Sequence, residues 1–473
     1  MRAALMTAVI VGVLALLFVL VGAFYWLAAF LGVVSASLFG PGSEFIGMAV
    51  ANMVTLVLVL VMVVASLLTV AERKWSSMMQ DRIGPNRARL AIIPGLKNRS
   101  LGGIPHFLAD GIKMLTKEDF IPAQASRFLY SLAPMMAFGP VFILFAIVPI
   151  APEIPASAIP GIAGIAASFG TTATFPVSLT VAPNLDIGLL YAFAMAGLAV
   201  YGAALAGWAS NNKLALLGGI RAASQMISYE IALGLSLVGC MMAYGSLQLE
   251  EMTEAQTGNL FGGLLPAWGI FLQPLGFLLF FAAAFAETKR APFDAPEGES
   301  EVIGYFVEYS GMRFGMFMIS EFVEIVVLSG LVTAVFLGGY HLPVPPAWGL
   351  EASIASTFGV FGLALFQGLT FLIKTAILIW LQLLIRWSMI RIRYDQIQTL
   401  GWKILLPLAL ANIVVTGVLI LVDPSLNALG VLGIIVLALL IGITVLYRAP
   451  AKPASIRFAG QPAATPVATG HGH

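Results

Sequence analysis

Charge-free apolar runs of about 20 residues, the length that crosses a bilayer, recur along almost the whole chain. Ten can be drawn, at roughly 5 to 34, 46 to 71, 128 to 150, 186 to 208, 226 to 245, 267 to 287, 314 to 339, 355 to 385, 404 to 422 and 428 to 447. Lipid offers a backbone no hydrogen-bond partner, so each run must satisfy its own amides as a helix. The pattern therefore predicts an all-α fold, a polytopic transmembrane helix bundle of about ten spans. The first run follows Arg2 and exceeds the roughly 7 to 15 apolar residues of a cleaved signal segment, so it reads as a retained helix. Between the second and third runs the period changes. Within 100 to 121, Ile104, Phe107, Leu108, Ile112 and Leu115 recur at helical spacing, with Pro105 starting and Pro122 ending the helix and Asp110, Lys113 and Lys117 elsewhere on the wheel. That stretch predicts an amphipathic helix lying on a membrane surface.

Charge gives the bundle a direction. Threading the ten spans from an inside N-terminus puts every one of the 24 basic residues except Lys374 on one side. The alternate connections, 35 to 45, 151 to 185, 246 to 266, 340 to 354 and 423 to 427, carry no lysine or arginine. By the positive-inside rule both termini are cytoplasmic, and the basic inner surface suits a docked partner. The tail after Lys452, rich in Ala, Pro and Gly, is expected to be disordered. A net charge of +1 gives no bulk attraction to nucleic acid. One cysteine, Cys240, excludes a disulfide framework and an iron–sulfur cluster held by this chain alone. Nothing matches a phosphate-binding loop, a dinucleotide fingerprint or a hydrolase triad.

Ionisable groups inside the spans carry the candidate chemistry. At about 1.5 Å per residue, Glu230 lies ~13 Å beyond Arg221, Glu321 ~12 Å and Glu324 ~16 Å beyond Arg313, and Lys374 ~18 Å before Arg386. Such groups face a wet cavity, pair with one another, or titrate. Lys374 is thus either part of a buried polar path or the structural counter-ion of Glu324 or Glu321. Arg221, Gln225 and Tyr229 form an i, i+4, i+8 stripe leading to Glu230, which reads as polar wall rather than core. A Gly-Pro-Asn turn between Arg82 and Arg87 offers an anion- or partner-binding surface, or a simple positive-inside anchor. The densest charge follows the sixth span. From Glu287 to Glu308, six carboxylates and two cations, Lys289 and Arg290, share 22 positions in a chain only 10% charged. Glu297, Glu299 and Glu301 alternate there, so their proton affinities should rise and couple. No histidine lies nearby, and no metal site is expected.

These residues carry a resemblance. Ala71-Glu-Arg-Lys74 with Arg82-Ile-Gly-Pro-Asn-Arg87, Ala109-Asp-Gly-Ile-Lys-Met-Leu-Thr-Lys-Glu118, Gly207-Trp-Ala-Ser-Asn-Asn-Lys213, Arg221-Ala-Ala-Ser-Gln-Met-Ile-Ser-Tyr-Glu230, Ala286-Glu-Thr-Lys-Arg-Ala-Pro-Phe-Asp294 and Arg393-Tyr-Asp-Gln396 with Gly401-Trp-Lys403 resemble the membrane component of NADH:quinone oxidoreductase, respiratory complex I, that is called H in bacteria and subunit 1 in mitochondria. The resemblance implies an eight-helix family core over 46 to 422, with one extra helix at each end (1 to 45 and 423 to 450) and a tail from 451 to 473. It also implies a proton-translocating oxidoreductase of a bacterial inner membrane, to whose quinone chamber this chain contributes. The substrate is then a quinone, and this chain has no covalently bound cofactor. FMN and the iron–sulfur clusters belong to partner subunits, the expected neighbours being B and C/D of the peripheral arm and A, J and K of the membrane.

Carried over by motif, Glu72, Arg73, Asp110, Arg221, Arg290 and Phe293 line the chamber or its mouth, and Gln225, Tyr229 and Asp294 join them from the stripe and the loop. Glu118, Glu230, Glu287, Glu297, Glu299, Glu301 and Glu321 make an acidic path, extended by Glu324 and Lys374. Several positions depart from the family's pattern. Lys289 stands for a usual Asn, Ala295 for a usual Leu, and Phe322-Val-Glu324 for Tyr followed by a neutral residue. The segment from Glu301 to Glu308 is one residue shorter, and no Pro precedes Arg391. Two other readings stay open: the equivalent component of a membrane-bound hydrogenase or a ferredoxin-, F420- or formate-linked complex, and a stand-alone transporter.

Overall fold

The computed structural model describes residues 2–89, 101–298 and 304–446. Among them, nine helices are long and apolar enough to cross a membrane: α1 (Arg2–Phe39), α2 (Glu44–Met79), α4 (Arg127–Ile147), α5 (Gly188–Ala209), α6 (Lys213–Tyr244), α8 (Gly311–Phe336), α9 (Leu350–Ser388), α10 (Tyr394–Val422) and α11 (Asn427–Leu446). The remaining expected crossing, near 267 to 287, is broken in two. Gly269–Leu272 forms a single turn and α7 (Pro274–Glu287) continues it, with Gln273 in a non-helical conformation between them. Pro274 has no amide to donate and clashes with a preceding helical turn, so the chain restarts there.

The amphipathic surface helix is α3 (His106–Thr116), shorter than the prolines alone suggest. Leu108, Ile112 and Leu115 on it are exposed, as is Ile104 just before it, while Phe107 is half-buried, so among the described residues most of its apolar face is uncovered. Of the connections on the lysine- and arginine-free face, two close with two-residue antiparallel pairs, Ile154–Pro155 with Pro176–Val177 and Asn259–Leu260 with Leu265–Pro266.

Helix α8 is the hub. Every residue from Ser320 to Phe336 is buried, and α2, α3, α4, α7 and α9 all pack on it. Between lipid-soluble helices the drive is close contact and interhelical hydrogen bonding rather than expulsion of water. Gly202 on α5 shows the first: a Cβ there would lie 2.5 Å from the Ala137 amide nitrogen of α4. Gln382 of α9 shows the second, its Nε2 donating to Ser329 Oγ of α8 at 2.9 Å. α1 packs on α2 and α9. α11 rests on the Gly269–Leu272 turn and α7, where Gly433 meets the Phe271 carbonyl so closely that a Cβ would sit 1.8 Å from it.

Candidate functional site

The loop after α7 turns back into the protein instead of leaving it. Glu287 is only 3% exposed, and Thr288, Lys289, Arg290, Phe293 and Ala295 are buried with it. Lys289 adopts a left-handed conformation (φ 56°), and a turn follows in which the Phe293 amide donates to the Arg290 carbonyl at 2.8 Å. Gln225 on α6 pins both ends, its Nε2 donating to the carbonyls of Ala286 and Phe293 at 2.8 Å each. The Tyr229 ring meets Phe293 edge-on at 5.8 Å, and its hydroxyl donates to the Ile397 carbonyl at 2.9 Å. Gln225 and Tyr229 are therefore core, which corrects the reading of their stripe as polar wall: the Gln225 Nε2 and the Tyr229 hydroxyl are spent on backbone carbonyls and position the loop, while Gln225 Oε1 has no hydrogen-bond partner among the described residues. Arg221, one step toward the surface, lies 5.7 Å from the Tyr394 ring centroid.

This fold-back puts the loop's two cations against acids from other helices. Arg290 ion-pairs through Nη1 with Glu72 of α2 and through Nη2 with Glu321 of α8, the latter at 3.4 Å. Its guanidinium lies 3.8 Å over the Phe322 ring. Arg386, near the end of α9, takes the other Glu72 oxygen at 2.5 Å, so the four side chains form a continuous chain, Arg386–Glu72–Arg290–Glu321. Lys289 lies 3.9 Å from Glu324, one turn along α8 from Glu321. Asp294 pairs with Arg391, which tethers the far end of the loop. Neither carboxylate oxygen of Glu287 has a hydrogen-bond partner among the described residues.

Two cavities adjoin the chain of charges, and a third lies beside Glu324. The first, about 570 Å³, opens on the basic face between Glu72, Arg73, Arg82, Asn86, Arg87 and Arg386. A second of about 240 Å³ shares Glu72, Arg73 and Arg386 with it and reaches Arg290, Glu297 and Glu321. The third is walled by Val141, Leu144, Phe193 and Leu233, and takes its polar atoms from Glu230, Glu287 and Glu324. Glu230 fits because α5 has a glycine opposite: a Cβ on Gly197 would lie 2.9 Å from its Oε1. The electrostatics of the loop follow from this crowding. Burial, then the facing Glu321 carboxylate, push the Glu297 carboxyl well above the usual range. Burial also raises the Asp294 carboxyl, outweighing the opposing pull of Arg391. For Lys289 burial works to lower the ammonium, but Glu324, Glu321, Glu297 and Glu287 together outweigh it and the net shift is upward.

Not every expected residue joins. Lys374 is no counter-ion of Glu324 or Glu321. Its ammonium donates to the carbonyls of Leu337 (2.6 Å), Gly339 (3.0 Å) and His341 (2.7 Å), beyond the far end of α8, and lies 4.4 Å from the Trp268 ring centroid. The side chain is long enough to reach a nest of backbone oxygens at the opposite face, which places it away from the acidic path. Glu118 is exposed just past α3, so it too stands outside the buried array; the next residue, Asp119, pairs with Arg313 at 3.2 Å. Asp110 pairs with Arg73 at 2.7 Å on the surface. Glu299 and Glu301 lie outside the described residues. The shortened stretch ends with Glu308 accepting from Asn212 Nδ2 at 2.7 Å and Tyr309 stacked on Tyr130 at 4.0 Å. Residue types alone missed Arg386 and Arg391 as ion-pair partners; their position at the inner end of an apolar run was the available signal.

The sequence model of a family described as NADH dehydrogenase matches residues 51–417 of this chain. The H subunit of NADH-quinone oxidoreductase from Bdellovibrio bacteriovorus is 41% identical over 397 residues, covering 80% of this chain and 98% of that protein. The H 1 subunit of the same enzyme from Geobacter metallireducens is 42% identical over 370 residues (77% and 94%). NADH-quinone oxidoreductase subunit 8 of Rhodothermus marinus is 40% identical over 351 residues (74% and 91%).

Proposed function

The chain belongs to the NADH dehydrogenase family that includes the H subunit of NADH-quinone oxidoreductase, and from this premise we propose that it forms the membrane side of a quinone chamber and the buried acidic path leading from it. It is an integral membrane subunit of an NADH-quinone oxidoreductase. The named relatives favour this reading over the hydrogenase-linked one and over a stand-alone transporter. The enzyme is assigned to a bacterial inner membrane with the basic face and both termini cytoplasmic, FMN and iron–sulfur clusters being carried by partner subunits.

The observation that carries the proposal is the unbroken chain Arg386–Glu72–Arg290–Glu321, which joins the open basic cavity to the inner one. A quinone head group in the open cavity meets Arg73 and Arg386, whose guanidiniums favour the negative charge that accumulates on its oxygens during reduction. A new unit charge ~10 Å away at an effective dielectric of about 20 is worth roughly 1.7 kcal/mol. That exceeds the thermal energy and is enough to redistribute Glu72 between its two arginines. Arg290 then bears more heavily on Glu321, and the change reaches Glu297 and the carboxyls Glu287 and Glu230 beyond. Two protons are needed per quinol, and the array answers the charge by taking up or releasing them.

The test is Glu230→Gln in the assembled enzyme in membrane vesicles. Glutamine keeps the shape beside Gly197 and removes the proton site, so NADH:quinone turnover and proton translocation should fall on the order of tenfold or more while assembly is retained. Normal turnover and pumping would refute the path.

A further inference from the structure

We propose that Lys289 and Glu324 form a fixed buried ion pair that carries no proton itself but positions the charge state of Glu287. This rests on the acidic-path reading above and assigns within it which groups move protons and which hold the field.

Both members are buried, Lys289 at 6% and Glu324 at 7% exposure, and the ammonium faces Glu324 Oε2 at 3.9 Å and Met226 Sδ at 3.9 Å. A lysine that served as a positive-inside anchor would point to solvent. This one also holds a left-handed backbone conformation (φ 56°) that favours Asn, Asp or Gly, so the side chain is kept where the backbone alone would prefer another residue.

Arg290 beside it is already engaged by Glu72 and Glu321, and among the described residues Lys289 is the cation within 4 Å of Glu324.

What the pair acts on is Glu287. It lies two residues before Lys289, lines the same apolar cavity as Glu230 and Glu324, and has neither oxygen satisfied among the described residues. The groups facing the pair are Glu287 of α7, Glu230 and Met226 of α6, Glu321 of α8, and Glu297 and Arg290 of the loop. Glu72 of α2 and Arg386 of α9 stand behind Arg290. With Glu321 and Glu72 held by arginines and Glu324 by Lys289, Glu287 is the carboxyl of this apolar cavity left to exchange a proton with Glu230.

The experiment compares Lys289→Asn, Glu324→Gln, the double variant and Glu287→Gln in the assembled enzyme, following turnover and proton translocation across pH in vesicles. Removing the cation makes the neighbouring acid harder to ionise, so Lys289→Asn should move the pH profile up by about one unit. Glu324→Gln should move it down, and the double variant should return it to within a few tenths of the parent while recovering most of the turnover. Additive losses in the double variant, or unshifted profiles in the singles, would overturn the proposal. If Lys289→Asn prevents assembly, recovery of assembly in the double variant supports the pair and persistent failure overturns it. Glu287→Gln separates the two levels: if it pumps normally, the path itself is wrong and the pair has nothing to position, whereas loss of pumping with additive pair variants removes the pair alone.

Discussion

Replacing Arg290 by Met should damage the protein far more than the same change at Arg386, although both arginines hold Glu72. Arg290 is buried, bridges Glu72 and Glu321 and lies over the Phe322 ring. Removing one partner of a buried pair costs about 3 to 5 kcal/mol. The lower end applies because Glu72 keeps Arg386, so the stranded charge is Glu321. The lost ring contact adds roughly 1 kcal/mol, for a total of about 4 kcal/mol. Arg386 is 27% exposed and its loss leaves Glu72 with Arg290, so about 1 kcal/mol is expected. In the double variant Glu72 loses both cations, and the loss should exceed the sum of the singles by about 2 kcal/mol or more. Thermal inactivation of the detergent-solubilised assembled complex, scored alongside the assembled fraction, measures all three. Equal damage at the two arginines, or strict additivity, would show that Glu72 does not link them and would remove the charge chain from which the function was argued.

The helices were legible because a bilayer leaves an apolar run no other structure, and hydropathy alone located the crossings. It did not reveal that one of them breaks at Gln273, since a proline at the start of α7 and one within a helix read alike until the backbone is seen. The loop after Glu287 was recognisable as a site from charge density in a charge-poor chain, but not that it folds inward. That depends on Gln225, whose amide reaches carbonyls more than 60 residues away. The same non-locality hid Arg386 and Arg391, which meet Glu72 and Asp294 from the end of α9 and from the connection that follows it. Lys374 shows the opposite error: its position along the helix was read correctly, but the reach of a lysine side chain decides which end of the membrane its charge occupies. Polarity misled once, at Gln225 and Tyr229, because backbone carbonyls can take the donor of a polar side chain in a dry core as water would.

At Lys374, substitution by Met strands the carbonyls of Leu337, Gly339 and His341, and a loss of about 3 kcal/mol in thermal stability is expected. A proton carrier at this position would instead shift the pH profile of turnover, so an unmoved stability with a moved profile would return Lys374 to the acidic path. Glu250, on the lysine- and arginine-free face, has its carboxyl pushed up to about 7 by burial, with Glu153 and Glu254 adding to it. An acid whose folded value is raised holds its proton in the folded state after the unfolded chain has lost it. Stability should therefore fall as pH rises from about 4.5 to about 7 and level off above that window. Glu250→Gln keeps a neutral side chain at every pH and should flatten that decline, leaving the variant more stable than the parent above pH 7 and nearly equal to it below 5. Parallel melting-temperature profiles for the two proteins would mean that the three glutamates are hydrated rather than crowded, and that the far face of the protein does not sense protons through Glu250.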